Sequence, residues 1–264
     1  MATASETRDS EGSRGVPAIG DHGRMRPVIG VSCYGERAAW GAWDVDAVVQ
    51  HRAYVEALET SGAAVVIVPP VTDEPSIDAI VSRLDGLVLA GGADVNPADY
   101  GDAPHQTTDR PRLDRDRTER RLYRAARDEG IPVLGICRGM QVMAVESGGR
   151  LIQDLPDAGF GSTHREAPGT FTEHAATFAS GSLIARLLAS TEATVNSSHH
   201  QAVGDPGTLT VTGHAADGTV EVLEDPDAAF VLGVQWHPEM SDDRRLFEAL
   251  VHAAHRRTAA HTLA

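Results

Sequence analysis

The chain contains no lysine, so all 23 of its cations are arginine. That excludes a Schiff-base lysine, a phosphate-loop lysine and any mechanism built on a lysine base. Cysteine is almost absent: Cys33 and Cys137 are the only two, too few for a disulfide framework. No uninterrupted apolar run approaches the roughly 18 residues that a spanning helix needs, and the N-terminus lacks the apolar core of a secretion signal. Acidic residues outnumber basic ones, 38 to 23, for a net charge of −15. That balance argues against binding to nucleic acid or to an anionic membrane. A reducing cytoplasm is the expected address, and each of the two thiols is then either core filler or a nucleophile.

What is present reads as an ordinary globular protein of 264 residues, 41% hydrophobic and 23% charged. Residues 1–25 are polar, without periodicity, and are expected to be a disordered leader. Residues 26–264 are expected to form a single domain. Val28-Ile29-Gly30-Val31-Ser32-Cys33 suits a strand buried on both faces, with Cys33 in its core. Val48, Tyr54, Val55 and Leu58 recur at helical spacing, and Trp40 and Trp43 fall in the preceding loop, lining a pocket or capping the core. Strands follow over 63–68 and 86–90, with a helix between them. Residues 94–115 read as a long loop. Asp116-Arg117-Thr118-Glu119 has the spacing of a capping box and opens a helix through Asp128. A strand over 132–136 and a helix over 138–147 come next. Strands near 175–178, 208–214, 219–223 and 230–236 precede a final helix from 242 to about 256. The middle pair is joined as a hairpin through Asp217-Gly218. The alternation predicts an α/β fold, with an open, mostly parallel sheet covered by helices on both faces and a small antiparallel portion.

The sharpest chemical feature is Gly135-Ile136-Cys137-Arg138-Gly139. A strand runs into a helix through a single residue, with glycines two before and two after it. This is the pattern of a nucleophile elbow, which holds the central side chain above the sheet edge. A sulfur there sits at a helix N-terminus, where the dipole favours thiolate, and the Arg138 amide points at an oxygen developing charge beside it. A buried structural cysteine beside a tight turn would use the same residues. Cysteine chemistry needs a base and a group to orient it, and Gly233-Val234-Gln235-Trp236-His237-Pro238-Glu239 offers both. On an extended segment Glu239 lies on the same side as His237 and can hold its ring; taken alone these residues read better as a surface turn, and only the pairing with the elbow reverses that. Gly91-Gly92-Ala93-Asp94 follows a buried strand and suits a second oxyanion donor or a plain turn. Val195-Asn196-Ser197-Ser198-His199-His200-Gln201 gathers polar groups for a zwitterionic ligand. The twelve histidines show no ligand-like spacing, so neither metal nor cofactor is expected.

Taken together and in order, these segments resemble the class I glutamine amidotransferase superfamily, and within it the gamma-glutamyl-gamma-aminobutyrate hydrolases. Arg115-Asp116 with Glu119, Gly148-Gly149 before Gln153-Asp154, and Asn196-Ser197 extend the likeness from Pro27 onward. The resemblance implies a Cys137–His237–Glu239 triad, with backbone oxyanion donors at Gly92 and Arg138. It also implies substrate contacts from Gln141, His199, Gln201 and Asp94. The implied reaction is hydrolysis of a γ-glutamyl amide to glutamate and an amine through a thioester, in polyamine or γ-aminobutyrate breakdown. A glutaminase subunit feeding a synthase, a poly-γ-glutamate trimming enzyme and a silent binding protein are the competing roles. Edge strands and loop faces leave room for a homodimer. The chain departs from the family's pattern at Ala144, where asparagine is common, and at His200, where some relatives carry a small residue; both bear on substrate identity.

Overall fold

A computed structural model describes residues 25–71 and 73–262. Apart from Met25, the leader expected over 1–25 lies outside them. Nine strands form one sheet in the order β4-β1-β5-β6-β13-β12-β11-β8-β9. The parallel part comprises β4 (Ala64–Val68), β1 (Val28–Ser32), β5 (Gly86–Leu89), β6 (Val133–Ile136) and β13 (Val231–Val234). From β13 the sheet continues antiparallel through β12 (Val220–Glu224), β11 (Thr210–Ala215), β8 (Thr172–Phe178) and β9 (Glu192–Ser197). The last strand in sequence therefore occupies the middle of the sheet. Two small ribbons stand apart: β2 (Tyr34–Trp40) with β3 (Trp43–Val49), and β7 (Arg150–Ile152) with β10 (Ala202–Asp205).

Alternation along the central strands sends side chains to two cores. Ile29, Val31, Leu134, Ile136, Leu232 and Val234 pack beneath α1 (Arg52–Thr60), α5 (Leu183–Leu188) and α6 (Arg245–Thr262). Leu87, Leu89, Val133 and Val231 face α2 (Glu74–Val81), α3 (Leu113–Asp128) and α4 (Arg138–Glu146). Burial on both faces explains the unbroken apolar runs of β1, β5, β6 and β13. Local signals set several boundaries. Asp73 accepts from the Ser76 amide to start α2, and Ser182 accepts from the Ala185 amide to start α5. The Glu224 carboxylate adds acceptors for the Leu183 and Ile184 amides at that same helix end. Among the described residues, no helix is long and apolar enough to cross a membrane.

Three expectations need correction. Trp40 and Trp43 are not in a loop: they face each other across the β2–β3 hairpin, 53% and 64% exposed. Val48 belongs to β3 rather than to the first helix. The run Trp43, Val45, Ala47, Val49 alternates with Asp44 and Asp46, so the period there is two and not 3.6. Finally, α3 begins at Leu113 with no side-chain cap, so Asp116-Arg117-Thr118-Glu119 is not a capping box. Asp116 and Glu119 lie inside the helix and buried, facing a cation from the next one.

Candidate functional site

The site is assembled at the C-terminal edge of the parallel strands, where open α/β sheets leave a crevice. Cys137 is the single residue between β6 and α4, at φ 52° and ψ −108°. A non-glycine residue there carries strain of about 1–3 kcal/mol, and the surroundings over-determine it. Its amide donates to the Val234 carbonyl at 2.7 Å, and its own carbonyl accepts from the Gln141 amide at 3.3 Å. The flanking glycines are explained by one another. A Cβ on Gly135 would sit 2.9 Å from the Gly139 backbone, and one on Gly139 would collide with the Leu89 carbonyl. Strand and helix can meet this closely only without those side chains, and the closeness lifts the sulfur over the sheet edge.

Because β6 and β13 run parallel with Gly135 opposite Gly233 and Ile136 opposite Val234, the residues that follow them are neighbours. Gln235, His237 and Glu239 project from the extension of β13. The Gln235 amide nitrogen lies 3.6 Å from the Cys137 sulfur. His237 Nδ1 is 2.6 Å from Glu239 Oε1, and the ring borders the same space above Gly91 that the Cys137 side chain borders. Asn196 fixes the histidine's backbone from β9: its Oδ1 accepts from the His237 amide and its Nδ2 donates to the His237 carbonyl, both at 2.8 Å. The Phe171 ring stands edge-on to the imidazole, with centroids 5.4 Å apart. Burial alone would push the His237 pKa down. The facing Cys137 charge, with the Glu239 carboxylate, outweighs burial and raises it to about 10.

Gly91 and Gly92 line the same edge after β5. A Cβ on Gly91 would lie 2.9 Å from His237 Cε1 and 3.6 Å from Cys137 Cβ, so any side chain there would fill the space between them. The Gly91 amide donates to the Tyr54 hydroxyl at 3.0 Å. Its carbonyl accepts from Arg115 at 2.7 Å, which turns the Gly92 N–H, on the opposite side of that peptide plane, away from the guanidinium. Arg115 in turn donates to Glu119 at 2.8 Å, and Glu119 and Asp116 both pair with Arg138. Two cations and two anions, all buried, thus close on themselves beneath the loop and tie α3 to the start of α4.

The other expected contact residues fall at varying distances from the sulfur. Gln141 is one step removed: its amide nitrogen donates to the Gln201 carbonyl at 3.2 Å and to Gln235 Oε1 at 3.3 Å. The Gln201 side-chain amide is buried with neither polar atom partnered. Asp94 is occupied by His200, whose Nε2 lies 3.2 Å from both carboxylate oxygens, and by the Asp109 amide. Burial would lower the His200 pKa, but Asp94 with Asp154 on the other ring nitrogen raises it. The His199 ring lies against His164 and Glu221. Ala144 is buried in α4, its carbonyl accepting from the Ser147 and Gly149 amides. Gln235, Asn196, Tyr54 and Arg115 were given no such role from sequence. The extended segment expected to carry His237 and Glu239 on one side is instead a bend followed by a 3-10 turn over Pro238–Met240, and that turn brings Glu239 to the ring.

A family model described as Peptidase C26 matches residues 27–239. "Putative glutamine amidotransferase Rv2859c" of Mycobacterium tuberculosis is 45% identical over 235 residues, spanning 88% of this chain and 76% of that protein. "Gamma-glutamyl-gamma-aminobutyrate hydrolase PuuD" of Escherichia coli is 33% identical over 218 residues, spanning 76% of this chain and 84% of that one. In fold, the chain is similar to the glutaminase domain of a Trypanosoma brucei CTPS with bound acivicin. The TM-score is 0.59 at 14% identity, covering 87% of this chain and 94% of that structure. With its mostly parallel sheet and the elbow at the sheet edge, the chain belongs to the peptidase C26 family of class I glutamine amidotransferase-like proteins.

Proposed function

We propose that the protein hydrolyses γ-glutamyl amides, releasing glutamate and a free amine, with Cys137 as nucleophile, His237 as proton carrier and Glu239 as its orienting partner. The observation that carries this reading is the His237 ring, bound through Nδ1 to Glu239 and set across the Gly91 backbone from a sulfur held on an elbow. The sulfur attacks the γ-carbonyl carbon and the carbonyl π-pair moves to oxygen, where the amides of Gly92 and Arg138 receive it. As the tetrahedral intermediate collapses, the C–N bond breaks and His237 gives its proton to the departing amine. A γ-glutamyl thioester remains on Cys137. Water, losing a proton to His237, attacks the thioester, and glutamate leaves as the proton returns to the sulfur–imidazole pair. Gln235 acts beside the sulfur, oriented by Gln141, and the unpartnered Gln201 amide supplies donors and acceptors for the α-amino acid end of the substrate. The acidic balance of the chain suits a cationic leaving amine, as in a γ-glutamylated polyamine.

The family and the name of the E. coli relative support the hydrolase reading. The name of the M. tuberculosis relative favours a second one, a glutaminase serving a synthase. A panel of γ-glutamyl amides, with glutamine included and no partner protein added, separates them by the glutamate released. Turnover of a secondary γ-glutamyl amide well above that of glutamine is the expected result. Release from none of the amides by the isolated chain would overturn the reading.

A further inference from the structure

Behind the sheet edge, three histidines and a glutamate from four separate segments converge out of contact with solvent. His164 comes from the segment before β8, His174 from β8, His199 from the loop after β9, and Glu221 from β12. Glu221, His164 and His199 are buried, and the His174 side chain is nearly so. Glu221 Oε1 lies 3.0 Å from His174 Nε2, 3.6 Å from His164 Nδ1 and 3.7 Å from His199 Nε2.

The outer hydrogen bonds decide what the inner nitrogens present. His199 Nδ1 is 2.9 Å from the Gln201 carbonyl, which can only accept, so that nitrogen carries the proton. His164 Nε2 is 2.9 Å from the Asp217 carboxylate and donates there. In the neutral rings, the nitrogens facing Glu221 are then bare lone pairs aimed at a carboxylate. Among the described residues, His164 Nδ1, His174 Nδ1, His199 Nε2 and Glu221 Oε2 have no hydrogen-bond partner. Lone pairs gathered around an anion repel unless a cation sits among them.

We propose that His164, His174 and Glu221, with the His199 ring beside them, form a buried site for a divalent transition metal of the zinc class. Bonds of about 2.0–2.1 Å at tetrahedral angles set neighbouring ligand atoms about 3.3–3.4 Å apart, and the three separations from Glu221 bracket that edge. Imidazole and carboxylate donors suit zinc, and the carboxylate and carbonyl behind two of the histidines are the outer partners that orient metal-bound rings. The burial of these side chains, away from the Cys137 elbow, makes the role structural. The metal pins the segment carrying His164 and the loop carrying His199 and Gln201 to β12, whose Glu221 carbonyl accepts from the backbone amide of Gln235, a residue whose side chain lies beside Cys137. The site stands apart from the hydrolytic reading and does not depend on it.

The test is metal content of the full chain without an affinity tag, measured by mass spectrometry as purified and after chelation followed by Zn(II) or Co(II). Cys137→Ser is run alongside, because a thiol near an imidazole could itself collect zinc. We expect about one metal per chain in the parent and in Cys137→Ser, with strong visible ligand-field bands when cobalt is loaded. Glu221→Gln and His174→Gln, checked for folding by circular dichroism, should lose both. Asp217→Asn leaves every ligand in place and should weaken binding about 10–100-fold. Absence of bound metal from the folded parent in excess Zn(II), or loss of the metal in Cys137→Ser with retention in Glu221→Gln, would overturn the proposal.

Discussion

The two cysteines of this chain stand at equivalent points of the fold and differ in almost everything else. Each follows a parallel strand of the central sheet, Cys33 after β1 and Cys137 after β6, and both are buried. Cys33 continues in ordinary extended fashion into the β2 hairpin and donates its S–H to the Val68 carbonyl at 3.2 Å. Burial, only partly offset by Arg115, pushes its pKa up to about 11, so it stays a thiol. Cys137 is forced to positive φ, caps a helix and meets an imidazole. Position in the sheet does not make a nucleophile. The backbone turn after the strand, and what the neighbouring strand delivers across from it, does.

The comparison is broken most severely by exchanging the sulfur itself. Cys137→Ser should lower turnover on the order of 10⁴-fold. Cys33→Ser should leave turnover near the parent value, with its penalty confined to the melting temperature. Next comes the partner that only one cysteine has. Glu239→Gln should cost about 10²–10³-fold in kcat/KM. On the proposed mechanism the parent's rate should fall as pH rises through about 10, where His237 would lose the proton given to the leaving amine. Glu239 helps raise that pKa, so in the variant the falling limb moves to lower pH; a limb that stays in place would sever Glu239 from the imidazole.

A smaller effect separates the glycines beneath the two sites. Gly139→Ala drives a methyl into the Leu89 carbonyl and should destabilise by about 3 kcal/mol in urea unfolding. Gly30→Ala, in the strand leading to Cys33, meets side-chain methyls of Leu84 and Val68 rather than backbone, and about 1 kcal/mol is expected. The mildest probe alters nothing. Brief treatment of the native protein with iodoacetamide should give one adduct, on Cys137, with Cys33 labelled only after unfolding.

Much of the parallel half was legible because its rules are local. Two-faced burial makes β1, β5 and β6 continuous apolar runs, and Gly135-x-Cys137-x-Gly139 announces its own geometry. The β2–β3 hairpin was not legible, because β3 mixes exposed valines and tryptophan with aspartates and so offers no apolar face toward a core. Asp116 and Glu119 misled for a different reason. Their spacing suits a helix start, yet it also suits two carboxylates on one helix face, and only Arg138, about twenty residues later, chooses between the two. The histidine cluster lay beyond spacing rules altogether, since its four members share no segment.

The last-made strand also lies at the centre of the sheet, between β6 and β12. Until residues 231–234 emerge from the ribosome, the nascent chain holds two half-sheets, each with a long apolar border unpaired. Closure then pairs β13 with the nearby β12 and with the distant β6, and the second contact, of high sequence separation, is slow to form. A chain that stops short of Val231 should accumulate as aggregate rather than as a smaller folded protein. The same closure brings the imidazole to the elbow, so the proposed mechanism requires the final strand to be in place.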